Sequence, residues 1–250
     1  FKILDNNEDE FISFWAERME FGENMILHNV CFSEDPWYNH CTVIPANTIN
    51  LRETVKKIIQ LFESKKIHPC IYVPDLDEYG GFRNMLVEMG FQIYDKMIIM
   101  SNRGKIQTFE TEKKFEMKII NENEVESWCS VFMNSFGISP LWKDELLKRC
   151  YSAQLDSRIS LYLATYLEKA VGTTILFSDK NIGGIYCVGT ISPHRDLGIA
   201  TGLLHKAIRD SRRKGDRIIT LQTLYRDGLT NFYSRRGFDQ IYVKEIYVKL

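Results

Sequence analysis

The period at which apolar residues recur switches repeatedly between helical and strand spacing along this chain, and each switch predicts an element. Residues 7–20 open acidic and then carry Phe11, Phe14 and Trp15 on one side, which predicts a helix. Met25–Phe32 and Trp37–Ile44 predict strands. Asn50–Ser64 predicts an amphipathic helix through Val55, Ile58, Ile59 and Phe62. Cys70–Val73 is a short strand broken by Pro74-Asp75-Leu76-Asp77; a helix over Phe82–Met89 then ends at Gly90-Phe91, and Gln92–Met100 is a strand. The second half opens with a strand at Phe115–Ile120. Asn121, with Glu124 behind it, predicts the cap of a helix to about Asn134, and Ser139-Pro140 the cap of another to about Ala153. Ile159–Leu167 and Ala170–Phe177 flank Glu168-Lys169 as a hairpin, and Asp179-Lys180-Asn181 turns the chain into an apolar strand from Gly184 to Ile191. An amphipathic helix from Gly198 to about Arg213 and a strand at Arg217–Thr223 follow.

The first half repeats the order of the second. A displacement of 147 residues lays Gly90-Phe91 on Gly237-Phe238, Tyr38–Ile44 on Ile185–Ile191, the helix from Leu51 on the helix from Gly198, and Ile71-Tyr72-Val73 on Ile218-Ile219-Thr220. Two copies of one αβ unit are expected, the first shortened at its front. Polar, aperiodic residues 102–113 are the expected linker between a domain at 1–101 and another at 114–250.

Between the strand ending at Ile191 and the helix from Gly198 lies the tight turn Arg195-Asp196-Leu197-Gly198-Ile199-Ala200. A strand that passes through small residues into a helix start presents unpaired N–H groups and the positive end of the helix dipole, a cradle for phosphate. Further on, Asn231-Phe232-Tyr233-Ser234-Arg235-Arg236-Gly237-Phe238 closes the last helix. Arg195, Gly198 and Ala200, followed after a strand by Tyr233, Gly237 and Phe238, resemble the GNAT superfamily of N-acyltransferases: an R/Q-x-x-G-x-G/A turn, then a helix ending in Y-x-x-x-G-F. The resemblance covers roughly the C-terminal 140 residues.

The resemblance implies an α/β (α+β) protein of two GNAT-like domains, each a mixed, mostly antiparallel sheet with a splayed central strand pair flanked by helices. It implies acetyl-CoA as co-substrate, with its pyrophosphate on Arg195, Asp196, Leu197, Gly198, Ile199, Ala200 and Thr201. The pantetheine arm would pair with the backbone of Gly189 and Ile191. The thioester carbonyl would be polarised by an N–H of Gly189 or Thr190. Asn231 and Tyr233 would line the same site, with Tyr233 as general acid: a phenol of pKa about 10 can protonate a thiolate of pKa about 8.5. No carboxylate on the central strands presents itself as the base; His194 is close by, and an amine of low pKa needs only a water relay, which favours an α-amine acceptor over a lysine. At the matching positions the first half has Thr48, Leu51 and Glu53 in place of Arg195, Gly198 and Ala200, and Leu86 in place of Tyr233. It keeps the fold pattern and loses the chemistry.

Charge and cysteine refine this picture. The formal net charge is −1, spread as about −6 over residues 1–111 and about +5 over residues 112–250. A mildly basic second half suits a polyanionic co-substrate, yet is too scattered for nucleic acid. The Arg212-Arg213-Lys214 run complements a helix C-terminus. The six cysteines lack metal spacing and mostly sit in apolar runs, which predicts reduced thiols and a cytoplasmic location. His40 and Cys41 point to opposite faces of a strand, which argues against zinc held by His28, Cys31, His40 and Cys41. No run is long enough to span a bilayer and no secretory signal is visible, so neither a membrane nor a metal is expected. The expected partners are acetyl-CoA and an amine, small molecule or peptide, with a homodimer as one possible assembly. Two other readings fit parts of this pattern: a non-catalytic acyl-CoA-binding regulatory module, and a tRNA-dependent aminoacyl ligase of the two-domain GNAT-fold type.

Overall fold

A computed structural model of the protein describes residues 2–21, 25–30, 35–43, 51–102 and 115–250. Cys31, Thr48 and all of the expected linker except Asn102 lie outside the described residues. The first half carries α1 (Lys2–Ile12), β1 (Glu17–Phe21), β2 (Met25–Asn29), β3 (His40–Val43), α2 (Leu51–Ser64), β4 (Cys70–Pro74), α3 (Gly80–Glu88) and β5 (Gln92–Asn102). The second half carries β6 (Glu116–Ile119), α4 (Val125–Phe136), α5 (Lys143–Leu155), β7 (Ile159–Tyr166), β8 (Lys169–Asp179) and β9 (Ile182–Thr190). It closes with α6 (Ile199–Arg213), β10 (Ile218–Leu224), α7 (Thr230–Ser234) and β11 (Phe238–Val248).

Two early expectations are corrected. The helix expected over 7–20 ends at Ile12, and Glu17–Phe21 pairs with β2 as an antiparallel strand. Residues 17–20 are exposed and mostly charged, the signature of an edge strand, so no apolar period betrays it. The strand expected from Trp37 begins only at His40. Asp35 accepts a bond from the Trp37 amide on its carboxylate, and from the Tyr38 and Asn39 amides on its carbonyl, folding 36–39 into a turn.

The chain divides into two compact units whose membership does not follow the two sequence halves. Phe1–Phe14, Met100–Gln222 and Asn231–Asp239 form one; Trp15–Ile99, Thr223–Thr230 and Gln240–Leu250 form the other. The first unit orders its strands β10-β9-β8-β7-β6, with β6 to β9 antiparallel and β10 parallel to β9. Successive glycines of β9 show how its faces are covered. A Cβ on Gly183 would strike Ser211 of α6, whereas one on Gly184 would strike Asn7 of α1. So α6 covers one face, and α1 the other, together with α4, whose Phe136 and Ser135 face Gly189. Trp128 is fully buried and donates its indole N–H to the Tyr162 carbonyl at 2.9 Å. α1 is integral to this unit: Phe11 stacks on Tyr186 with centroids 3.7 Å apart, and the Tyr186 hydroxyl donates to Asn7 Oδ1 at 3.0 Å. The last residues of β5 also belong here, since Thr220 Oγ1 donates to the Met100 carbonyl.

The second unit orders its strands β1-β2-β3-β4-β11-β5, the last through its residues up to Ile99. β3 and β4 run parallel, and Cys70–Pro74 pairs antiparallel with Lys244–Val248 of the closing strand. α2 buries Val55, Ile58, Ile59 and Phe62, the stripe its period predicts. The elements keep a common spacing: α2 and α6 start 148 residues apart, and so do β4 and β10. Cys41, Cys70, Cys129 and Cys150 are buried free thiols, and Cys187 is half-buried. Among the described residues no group of three or more potential ligands could hold a metal ion, and no helix is long and apolar enough to cross a membrane.

This second unit carries an acid-sensitive histidine. His40 is buried beside His28 and stacks on Tyr72, with ring centroids 4.1 Å apart. Burial, then the neighbouring His28 and Lys244, hold its pKa well below the ordinary histidine value. Below about pH 6.5 the unfolded chain binds a proton that folded His40 refuses, so stability falls as pH drops through and below that value. The expected loss is at most about 1.4 kcal/mol per pH unit, down to the folded pKa. Urea unfolding at pH 7.5 and 5.5 should show a smaller difference for His40→Asn than for the wild type; equal differences would refute it.

Candidate active site

The two central strands of the first unit part company midway. β10 pairs with β9 only from Ile218↔Ile182 to Leu221↔Ile185, although β9 continues to Thr190. A bulge marks the parting: Thr173 faces Gly189 and Ile175 faces Tyr186, so β9 spends one more residue than β8. Cys187 takes φ +54 there. The bulge is held from β8 by Thr173 Oγ1 on the Cys187 carbonyl and Thr174 Oγ1 on the Tyr186 carbonyl. Beyond it, Gly189 is needed for close approach, because a Cβ would come within 2.8 Å of both Phe136 and Ser135.

Ile191 corrects one expectation. Its amide donates to the Val171 carbonyl and its carbonyl accepts from the His194 amide, so its backbone is already engaged within the protein. Neighbouring amides on a strand point to opposite edges. With Ile191 turned to β8, the Thr190 N–H faces the edge that β10 has left.

The turn after β9 is built as its sequence implies. Asp196 at φ +61 and Gly198 at φ +84 occupy the left-handed region, and Gly198 is the N-cap of α6 without a side-chain cap bond. Among the described residues the amides of residues 196–201 donate to no protein acceptor, whereas the amide of Gly202 already bonds the Gly198 carbonyl. Six consecutive N–H groups are therefore without a described protein acceptor where a helix begins and its dipole is positive. Arg195 is exposed, and its guanidinium turns back to the Thr190 carbonyl at 3.2 Å and the Ser135 carbonyl at 3.4 Å, bracing α4 against the end of β9. His194 is half-buried, edge-on to Tyr166 with centroids 6.0 Å apart, and its Nδ1 is hidden without a hydrogen-bond partner.

Tyr233 lies in α7 with 6% of its surface exposed, edge-on to Phe238 at 6.3 Å between centroids. Gly237 at φ +83 ends the helix, and Phe238, fully buried, anchors the chain behind it. Gly90 at φ +87 and Phe91 repeat that device in the first half, where fully buried Leu86 stands at the phenol's place. Asn231 is exposed in the first turn of α7. Sequence reasoning missed Arg236. Its Nε and Nη2 donate to Thr201 Oγ1 at 3.0 and 2.7 Å, and its Nη1 donates to the Phe232 carbonyl at 2.6 Å. The guanidinium stacks 3.5 Å from the Phe232 ring centroid. Burial lowers its pKa, and nearby Tyr233 pulls the other way.

The splayed strand pair and the open start of α6 lie within one stretch of the chain that matches a known family. Residues 124–238 match the acetyltransferase (GNAT) family. Solved structures share the fold over nearly the whole chain. A GCN5-related N-acetyltransferase from Kribbella flavida superposes with a TM-score of 0.71 at 12% identity, over 97% of this chain and 95% of its own. One from Sphaerobacter thermophilus gives 0.71 at 16% identity, over 96% and 84%. A tandem GNAT protein from the clavulanic acid biosynthesis pathway gives 0.61 at 10% identity, over 90% and 77%. At these identities the likeness is one of fold. No curated protein matches the sequence.

Proposed function

We propose that this protein transfers an acetyl group from acetyl-CoA to a primary amine, on a small molecule or a peptide N-terminus, by direct attack. The observation that carries the reading is the set of six unpaired amides at residues 196–201, beside the edge of β9 that β10 leaves open. Those amides hold the pyrophosphate, and Gly198 and Ala200 let it approach the backbone. The pantetheine arm lies along the open edge of β9. The Thr190 N–H, on that edge, polarises the thioester carbonyl. The amine nitrogen bonds to the carbonyl carbon, the C–S bond breaks, and Tyr233 gives its proton to the departing thiolate. The proton released by the amine goes to His194 or through water to solvent; an α-amine of pKa near 8 needs only the relay. The first sequence copy, with Leu51, Glu53 and Leu86 at the chemical positions, lacks this chemistry and serves in packing or in shaping a substrate cleft.

The test has two stages. Calorimetry with acetyl-CoA should show binding, and a panel of amines should then release free CoA, faster with an α-amine than with a lysine side chain. Binding without release from any amine would leave the non-catalytic module. No binding of acetyl-CoA would remove the reading altogether.

A further inference from the structure

We propose that Arg236 is a positioning residue that fixes the Tyr233 phenol relative to the first turn of α6, through Thr201. α7 has five residues, too few to hold a helical geometry unaided. Something outside the helix must set where Tyr233 points. The Arg236 fork does so at both ends: two of its nitrogens meet the Thr201 hydroxyl, and a third caps the Phe232 carbonyl. Its plane lies on the Phe232 ring, one residue before Tyr233. Thr201 is buried and stands in the turn whose amides form the phosphate cradle. One side chain thus ties the helix that carries the acid to the helix that binds the co-substrate. Lysine cannot replace it, having the charge without the planar fork.

This inference rests on the reading of Tyr233 as general acid, and a double-mutant cycle separates the two. Wild type, Arg236→Lys, Tyr233→Phe and the double variant are compared in kcat, with slow variants read at high enzyme concentration. CoA affinity is measured by calorimetry. Arg236→Lys is expected to lower kcat at least tenfold with CoA affinity within threefold; in the Tyr233→Phe background the same change should alter kcat less than twofold. Equal losses in both backgrounds, or an Arg236→Lys enzyme at full rate, would overturn the inference while leaving the acid assignment standing. A Tyr233→Phe enzyme at wild-type rate would sink both together. Should Arg236→Lys fail to fold, Thr201→Val takes its place in the cycle, with the same expected dependence on Tyr233. Thr201→Ser, which keeps the hydroxyl, should lose less than Thr201→Val, and the reverse order would count against the contact.

Discussion

Tyr233→Phe is expected to bind acetyl-CoA as the wild type does and to lose turnover by about 10²–10⁴-fold, the range that a positioned proton donor supplies. The ring stays: its packing against Phe238 and Phe232 is unchanged by loss of the hydroxyl. What is removed is the hydroxyl that would donate the proton. A phenol near pKa 10 is fully protonated at neutral pH, and a thiolate conjugate to a thiol near 8.5 is basic enough to take part of that proton in the transition state. Without it, water must reach a residue that is 6% exposed. Steady-state kcat beside calorimetric CoA affinity makes the check. Turnover within a few fold of wild type would reduce Tyr233 to a packing residue.

Much of this molecule was legible in its sequence where a single period governs an element. α2, α6 and β10 fall within a residue or two of where their apolar spacing places them. Asn121 and Glu124 form the expected capping box. The turn at 196–201 was also readable, because it lies where a strand period gives way to a helical one. What escaped lies where tertiary contacts decide. β1 is an exposed charged edge whose pairing with β2 no local pattern announces. The bulge puts Cys187, not a glycine, at positive φ, so composition offers no flag. α1 joins the unit of the second half through Phe11 and Asn7, a partnership some 175 residues distant in sequence. Arg236 reads as one more basic residue beside Arg235; only the fold sets it against Thr201. The last two misses are long-range contacts, and local periodicity carries no information about those.

Ala200→Glu should separate folding from binding by driving them in opposite directions. The first half supplies the precedent: Glu53, which the 147-residue displacement lays on Ala200, stands in the first turn of α2, exposed, with its pKa lowered chiefly by its bond from Lys56. A carboxylate there suits a helix, because it meets the positive end of the dipole. At α6 the same dipole is proposed to serve the pyrophosphate, and the two anions compete for it. Like charges about 5 Å apart repel by roughly 3 kcal/mol at an effective dielectric near 20, and a diphosphate presents more than one. Acetyl-CoA affinity should therefore fall at least about 100-fold, while the melting temperature holds or rises. Ala200→Gln, of nearly the same bulk and uncharged, should lose much less. Calorimetry on the three proteins at low and high salt reads the difference, since screening relieves a partly exposed repulsion. Affinity preserved in Ala200→Glu would mean the diphosphate binds elsewhere, because no helix start can favour a carboxylate and a pyrophosphate on the same amides at once.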